Sequence, residues 1–414
     1  MILILVGHVL NNTFGLVIFK NAVEPAALAD RPLNELTSDE LVAIILERNA
    51  RNMAVYIRDN LSVVDSAVFT TTPLNVAIAG STIPEGLCDK TNGDLTPEER
   101  AAILVANLSQ GQLHDLVLDN IVKPTVVESW QLLPSLFSRA AIEAEAAAGY
   151  PDDTLEFRSW LSLDFITSSV SSSATTAGLL TALLGTFWII AITTIVALIL
   201  GVGAAIYLEE YSEDSPIEQI IEINIRNLAA IPSVIYGMLG LAVFVIGFLR
   251  PVVSGSVFGS ENDNGRTVLA AGFTLALLVL PNLIVISQEA LRAVPNTIRE
   301  ASYGIGATKW QTISRQILPA AAPGILTGVI LSISRALGET APLLVVGAST
   351  FIGINPNGPF SKFTVVPIQI YQWTSRPEVE FRNVAAAAII ALLAVMISLN
   401  LIAIILRNRF SQRQ

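Results

Sequence analysis

Five apolar runs limit what this chain can fold into: about 178–207, 230–249, 267–288, 320–348 and 384–406. Each approaches or exceeds the roughly 20 residues a helix needs to cross a hydrocarbon core. In that solvent every backbone N–H and C=O must be paired internally, so the runs read as helices. Composition agrees, with 14% charged residues and a mean hydropathy of +0.60. A weaker candidate, residues 1–19, is interrupted by His8, Asn11 and Asn12. It has no charged n-region and no clear small-x-small site, which argues against a cleaved signal. It is read as a first transmembrane helix whose usual cytoplasmic tail is missing, as expected if the true start lies upstream. The expected fold is therefore an all-α multi-pass membrane protein with six transmembrane helices and a soluble α+β insertion between the first two.

The charge is unevenly placed. Residues 20–177 hold 22 Asp+Glu against 10 Lys+Arg, and the rest of the chain holds 13 against 14. The net charge of −11 thus belongs to the soluble stretch and argues against nucleic-acid binding. With the first helix starting inside, 20–177 lies outside, 289–319 inside, and the C-terminus inside. Arg407, Arg409 and Arg413 after the last run support this, as does the basic 289–319 loop. The 208–229 loop, with Arg226 its only cation, is nearly silent on orientation because acids contribute little to it. A single cysteine, Cys88, excludes an intrachain disulfide and a Cys-based metal cluster. His8 and His114 form neither a metal pair nor a catalytic base.

Within 20–177, Thr37 with Glu40 and Thr96 with Glu99 are capping-box starts, the second with Pro97 at the first helical position. The first predicts a helix running to about Arg58, and an alanine-rich helix is expected over about 135–148. VVDSAVFTT and LNVAIAG read as strands. The stretch shows no phosphate loop, no Ser-His-Asp set and no paired carboxylates. Small residues are dense in the apolar runs, and Gly324-x-x-x-Gly328 permits close helix approach, within the chain or against a second, similar chain. Pro232, opening the run at 230–249, is a hinge candidate.

The stretch from Arg292 to Ala348 joins two tasks. Its first half is basic and amphipathic, with Arg292, Arg299, Lys309 and Arg315, and reads as helix, glycine break at Gly304 and Gly306, helix. Its second half is apolar yet carries Arg335 and Glu339. Glu300, Ala301, Ser302, Gly306, Leu318 and Pro319 resemble the EAA loop of ABC importer permeases, with Gln316 departing where that pattern usually has Ile. The plainer reading is an amphipathic hairpin lying on the membrane. The string RALGETAPLL at 335–344 resembles the phosphate-specific permeases of the PstA type, as do 201–211, 227–241 and 366–377. The resemblance runs from about residue 155 to the C-terminus and leaves about 20–150 uncovered.

This resemblance implies a permease core at 178–414 in a bacterial plasma membrane, moving inorganic phosphate. Glu300, Ala301, Ser302 and Gly306 would couple it to a dimeric ABC ATPase. It also implies a second, PstC-type permease and an extracytoplasmic phosphate-binding protein. The chain has no Gly-Lys pair and so no P-loop; ATP and Mg would sit on the partner ATPase. Another oxyanion, such as molybdate or sulfate, is the alternative substrate. A receptor with an external sensing domain is the alternative class. Mid-membrane charge costs about 2.5–3.5 kcal/mol on insertion scales, so Arg335 is rarely idle. Arg335, Glu339 and Thr340 are the candidate pathway residues; the competing reading is a structural ion pair between Arg335 and Glu339, four apart on one helix face.

Overall fold

The computed structural model describes residues 2–62, 69–151, 153–171, 173–212, 215–258, 265–348, 352 and 355–411. The chain divides into two compact units. One comprises Met1–Thr181, Phe351–Asn355 and Ile370–Ile390; the other comprises Ala182–Thr350, Pro356–Gln369 and Ala391–Gln414.

The first unit begins with α1 (Ile2–Thr13) and β1 (Phe14–Lys20), followed by α2 (Ser38–Asn49), α3 (Met53–Leu61), α4 (Leu74–Ala77), α5 (Pro97–Asn107) and α6 (Gln110–Val117). Then come β2 (Thr125–Ser129), α7 (Leu132–Phe137), α8 (Arg139–Gly149), β3 (Thr154–Ser159) and α9 (Leu163–Thr167). Both expected capping boxes form: Thr37 and Glu40 start α2, and Thr96 and Glu99 start α5. Leu41, Ile45, Met53, Ile57, Leu74, Ile103 and Leu104 meet in one core as α2 and α3 pack on α5. The three strands form an antiparallel sheet in the order β2-β1-β3.

The first segment differs from the expected membrane helix. The 12-residue α1 is about 18 Å long, short of a bilayer core. The chain then turns into β1, where Leu16, Val17 and Ile18 are 1–2% exposed. These β-branched and aromatic residues, Val17 to Phe19, satisfy their backbone by pairing with β2 and β3. Residues 14–19 therefore join the unit expected to begin at 20. LNVAIAG is another correction: its first four residues are the helix α4, because Pro73 precedes a helical turn whose Leu74 and Ala77 share the buried side. Most of VVDSAVFTT lies outside the described residues. The helix expected from Thr37 to Arg58 is broken by a 3-10 turn at Ala50–Asn52, and that at 135–148 is the pair α7 and α8.

The second unit is built of α10 (Leu180–Ile206), α11 (Pro216–Ala229), α12 (Ser233–Gly240), α13 (Arg250–Val253), α14 (Val268–Arg292), α15 (Asn296–Gly304), α16 (Lys309–Thr312), α17 (Leu318–Gly338) and α18 (Ala341–Val346). Then follow α19 (Val366–Thr374) and α20 (Glu380–Ser411), each of which also contributes to the first unit. Among the described residues four helical spans are long and apolar enough to cross a membrane: Leu180–Tyr211, Val268–Arg292, Lys309–Gly338 and Glu380–Arg409. A fifth is counted if Pro216–Ala229 and Ser233–Ile246, bent by 104°, form one span. Pro232 stands in that bend, where its missing N–H and fixed φ end one helix and start the next.

Helix α14 is the hub, packing on α11, α12, α17 and α18. Gly324 and Gly328 of α17 serve this intrachain packing: a Cβ at either would lie 2.6 Å from Ala290 or 2.8 Å from Ile286 of α14.

Candidate functional site

The polar break between α17 and α18 carries the pathway candidates. A continuous helix would drive the Pro342 ring into the carbonyl four residues back, at Gly338. The chain instead leaves the helix at Glu339 (φ −83°, ψ 107°) and restarts after Thr340, with Pro342 in the first turn of α18. Glu339 is thus not on the helix face that its spacing from Arg335 suggests. The two still pair, with Arg335 Nε 3.6 Å from Glu339 Oε1, too long for a hydrogen bond. Their side chains are 36% and 22% exposed, so this pair is neither buried nor tightly closed. Among the described residues the Arg335 guanidinium and the Thr340 hydroxyl have no hydrogen-bond partner, which leaves the Arg335 fork open for a bidentate anion.

The break is held from two sides. Gly237 of α12 lets α18 approach so closely that a Cβ there would lie 2.6 Å from Pro342 Cα. The Ser334 hydroxyl donates to Asn400 Oδ1 of α20 at 2.7 Å, tying the helix beside Arg335. Sequence reading covered Gly237 only within the 227–241 stretch; its contact is long-range.

The other candidates form a hairpin. Helix α15 continues through Gly304, so the break falls at Gly306 alone, where φ is +84°. Thr308 and Gln311 form a capping box that starts α16. Ser302 faces inward and its hydroxyl lies 2.8 Å from that of Thr312, clasping the two arms. Glu300, Ala301 and Gly306 are exposed. So are Ile305 (87%), Trp310 (59%) and Tyr303 (43%), which put an apolar tip on the hairpin.

The hairpin is bolted to the end of α10 by charges. Arg299 Nη2 meets Glu210 Oε1 at 2.7 Å with side chains 16% and 5% exposed, and Arg299 also donates to the carbonyls of Leu291 and Val294. Arg292 pairs with Glu209 at 2.8 Å and with Glu222 of α11 at 3.1 Å. The Lys309 ammonium lies 5.1 Å from the Tyr211 ring centroid. Sequence reading passed over Glu209, Glu210 and Glu222 because acids say little about orientation. A cluster of acids in one short loop facing a basic loop was the available signal.

The first unit holds a cleft of about 960 Å³ lined by Tyr56, Asp59, His114, Asp119, Arg158 and Trp160, among others. Two of its charges, both half-buried, are tied to the segment leading into α10. Asp119 accepts from Ser171 Oγ at 2.5 Å and from the Thr176 hydroxyl; burial raises its pKa, against the lowering by these hydroxyls. Arg158 donates to the Thr175 carbonyl and stacks on Phe19 and Trp160 at 5.1 and 4.7 Å, and burial lowers its pKa. Among the described residues no cluster of His, Cys, Asp or Glu is arranged to hold a metal ion.

A family model described as the binding-protein-dependent transport system inner membrane component matches residues 197–414. The phosphate transport system permease protein PstA of Haemophilus influenzae is 34% identical over 242 residues, 58% of this chain and 79% of that protein. The probable ABC transporter permease protein YqgI of Bacillus subtilis is 31% identical over 228 residues, 55% of this chain and 72% of that one. Among solved structures, the inward-facing MetNI methionine ABC transporter aligns with a TM-score of 0.41 at 17% identity, covering 55% of this chain and 94% of that one. The family match takes in the end of α10 and all of α11 to α20, and with them both the hairpin and the helix break. The chain belongs to the binding-protein-dependent transport system inner membrane components, as a multi-pass permease subunit and not the ATPase.

Proposed function

We propose that this permease subunit moves inorganic phosphate inward, driven by a separate ATPase. The observation that carries the reading is the open Arg335 fork at a helix break, in a chain 34% identical to a phosphate permease over 242 residues. Arg335 meets the phosphate oxygens in a bidentate contact, and Thr340 adds a hydroxyl. Glu339 positions Arg335 and tempers its charge so that the anion leaves again. The hairpin, with Glu300, Ala301 and Gly306 outward and Ser302 as its inner clasp, seats in a dimeric ABC ATPase that carries ATP and Mg. The exposed apolar tip supports this role, since a water-facing Ile305 and Trp310 gain by burial in a partner. A second permease of the PstC type completes the path. An extracytoplasmic phosphate-binding protein delivers the anion, the acidic unit lies outside, and the C-terminus lies in the cytoplasm.

The test is phosphate uptake by the complex reconstituted in liposomes, with sulfate as competitor. Arg335→Gln is expected to abolish uptake, and Arg335→Lys to cut it at least tenfold, roughly the 1.4 kcal/mol or more lost with the fork. Recovery of uptake in the Arg335→Gln, Glu339→Gln double variant would assign the pair a structural role and defeat the phosphate contact.

A further inference from the structure

Helix α11 is built unlike the other long helices of its unit, for none of its residues is buried. It meets the next helix segment, Ser233–Ile246, at 104°, so where that segment enters the bilayer α11 runs nearly in the membrane plane. The side turned to α14 is polar: Glu222 reaches Arg292 at 3.1 Å and Gln288 at 3.4 Å. The apolar side chains point away from the protein. Ile217 is 70% exposed, Ile220 59%, Ile221 41% and Leu228 42%. At 100° per residue Ile217, Ile221 and Leu228 fall within about 40° of one another, Gln219 and Arg226 fall on the opposite flank, and Ile223, 58% exposed, lies between Ile220 and Gln219 at the edge of that flank. The contact with α14 lies between these two flanks.

A soluble helix turns its apolar stripe to its own core. This one turns a carboxylate inward and offers one apolar and one polar flank outward, on either side of its anchor. We infer that α11 is an interfacial helix that lays its isoleucine flank into the headgroup–acyl boundary of the lipid bilayer and keeps Gln219 and Arg226 in water. Three observations select lipid as the occupant. The axis is turned out of line with the crossing segment. The apolar flank continues into exposed Val234, Ile235 and Met238 of α12, a surface of the same chemistry. The water-facing flank carries a cation, which suits the headgroup side. Because Glu222 shares Arg292 with Glu209 of the α10 end, the lipid-seated helix is tied by one guanidinium to the base of the hairpin. This inference needs only membrane insertion and stands apart from the identity of the transported anion.

The experiment is nitroxide labelling in the full transporter complex in phosphatidylcholine vesicles. Cys88→Ser removes the native thiol, and Ile217→Cys, Ile220→Cys, Gln219→Cys and Arg226→Cys are labelled singly. Collision with oxygen and with a water-soluble nickel chelate is then read at each site. Labels at 217 and 220 are expected to show a several-fold higher oxygen-to-nickel ratio than labels at 219 and 226, at a depth of about 5–10 Å below the headgroups. All four positions are exposed, so the labels have room, and the two sites on each flank check one another. Shielding of 217 and 220 from both probes would assign the flank to the second permease and overturn the proposal. Nickel-dominated collision at 217 and 220 would overturn it, and so would a depth at the bilayer centre, which would make α11 half of a spanning helix. Normal phosphate uptake combined with any of these outcomes would leave the transport reading intact while the lipid assignment fails.

Discussion

The two units solve opposite solvent problems with similar helices. In the first, α2, α3 and α5 hide Ile45, Met53, Ile57 and Ile103 completely, and the charge faces water. In the second, the apolar residues face outward: in the Glu380–Arg409 span only 6% of the most apolar window is buried, and even the hub Val268–Arg292 reaches 56%. Burial is what removes apolar surface from water in the first unit. In the second the bilayer does that, and shape is held by close approach at glycine and by a few polar ties. The contrast teaches where to look for function. In a unit that saves its inside for packing, a half-buried charge such as Asp119 anchors a segment. In a unit whose surroundings are apolar, Arg335, Glu339 and the Arg299–Glu210 pair are the costly groups, and they cluster at the break and at the hairpin base.

The sharpest way to break the comparison is Arg299→Ala. It leaves Glu210 buried and unpaired, at a cost of about 3–5 kcal/mol. The hairpin should lose its seat, with new protease cleavage near 296–312 and loss of coupled ATP hydrolysis. An unchanged cleavage pattern would mean that the charges are not what holds it. Next is a matched pair of truncations. Ile45→Ala, at a fully buried site, should cost about 2–5 kcal/mol in unfolding of the first unit. Ile397→Ala, 66% exposed on the last span, leaves no internal cavity and should move stability far less. Equal losses would erase the distinction drawn between the two units. A smaller effect is expected at Thr96→Ala, which removes the capping box of α5 and should cost roughly 0.5–2 kcal/mol.

The smallest effect is a pH dependence. Burial raises the Asp119 carboxyl above its ordinary value, so the folded unit holds that proton more tightly than the unfolded chain. The sign follows by linkage: the Asp119 contribution is fully present below the ordinary carboxylate pKa of about 3.9 and is lost as pH rises through the folded value. Glu40, lowered chiefly by the Thr37 backbone N–H at its helix start, and Glu99, lowered chiefly by its hydrogen bond with Lys90, act oppositely and lose their contribution as pH falls. Chemical unfolding of parent and Asp119→Asn across pH 4 to 8 should therefore show the parent losing stability relative to the variant as pH rises. Parallel curves would remove the raised carboxyl from the account.

Local signals did determine much of this protein. Four of the five apolar runs marked helices long enough to cross a membrane, because length and low charge suffice in lipid; the 230–249 run is the second arm of a bent pair, and the 320–348 run breaks at Glu339. Thr37 and Thr96 marked helix starts because a capping box is complete within four residues. Gly306 marked the hairpin turn because only glycine takes that φ without strain, and the 335–344 string marked the permease family. What only the tertiary structure decided was everything that needs a distant partner. Residues 14–19 became a strand because β2 and β3, more than 100 residues away in sequence, supply their hydrogen bonds. The turn after Glu339 took its place because α12 receives it at Gly237, where a Cβ would lie 2.6 Å from Pro342 Cα. Glu209 and Glu210 became anchors because α10 brings them to Arg292 and Arg299. A sequence states each residue's chemistry, but a contact's free energy depends on who arrives to make it, and that arrival is settled by packing.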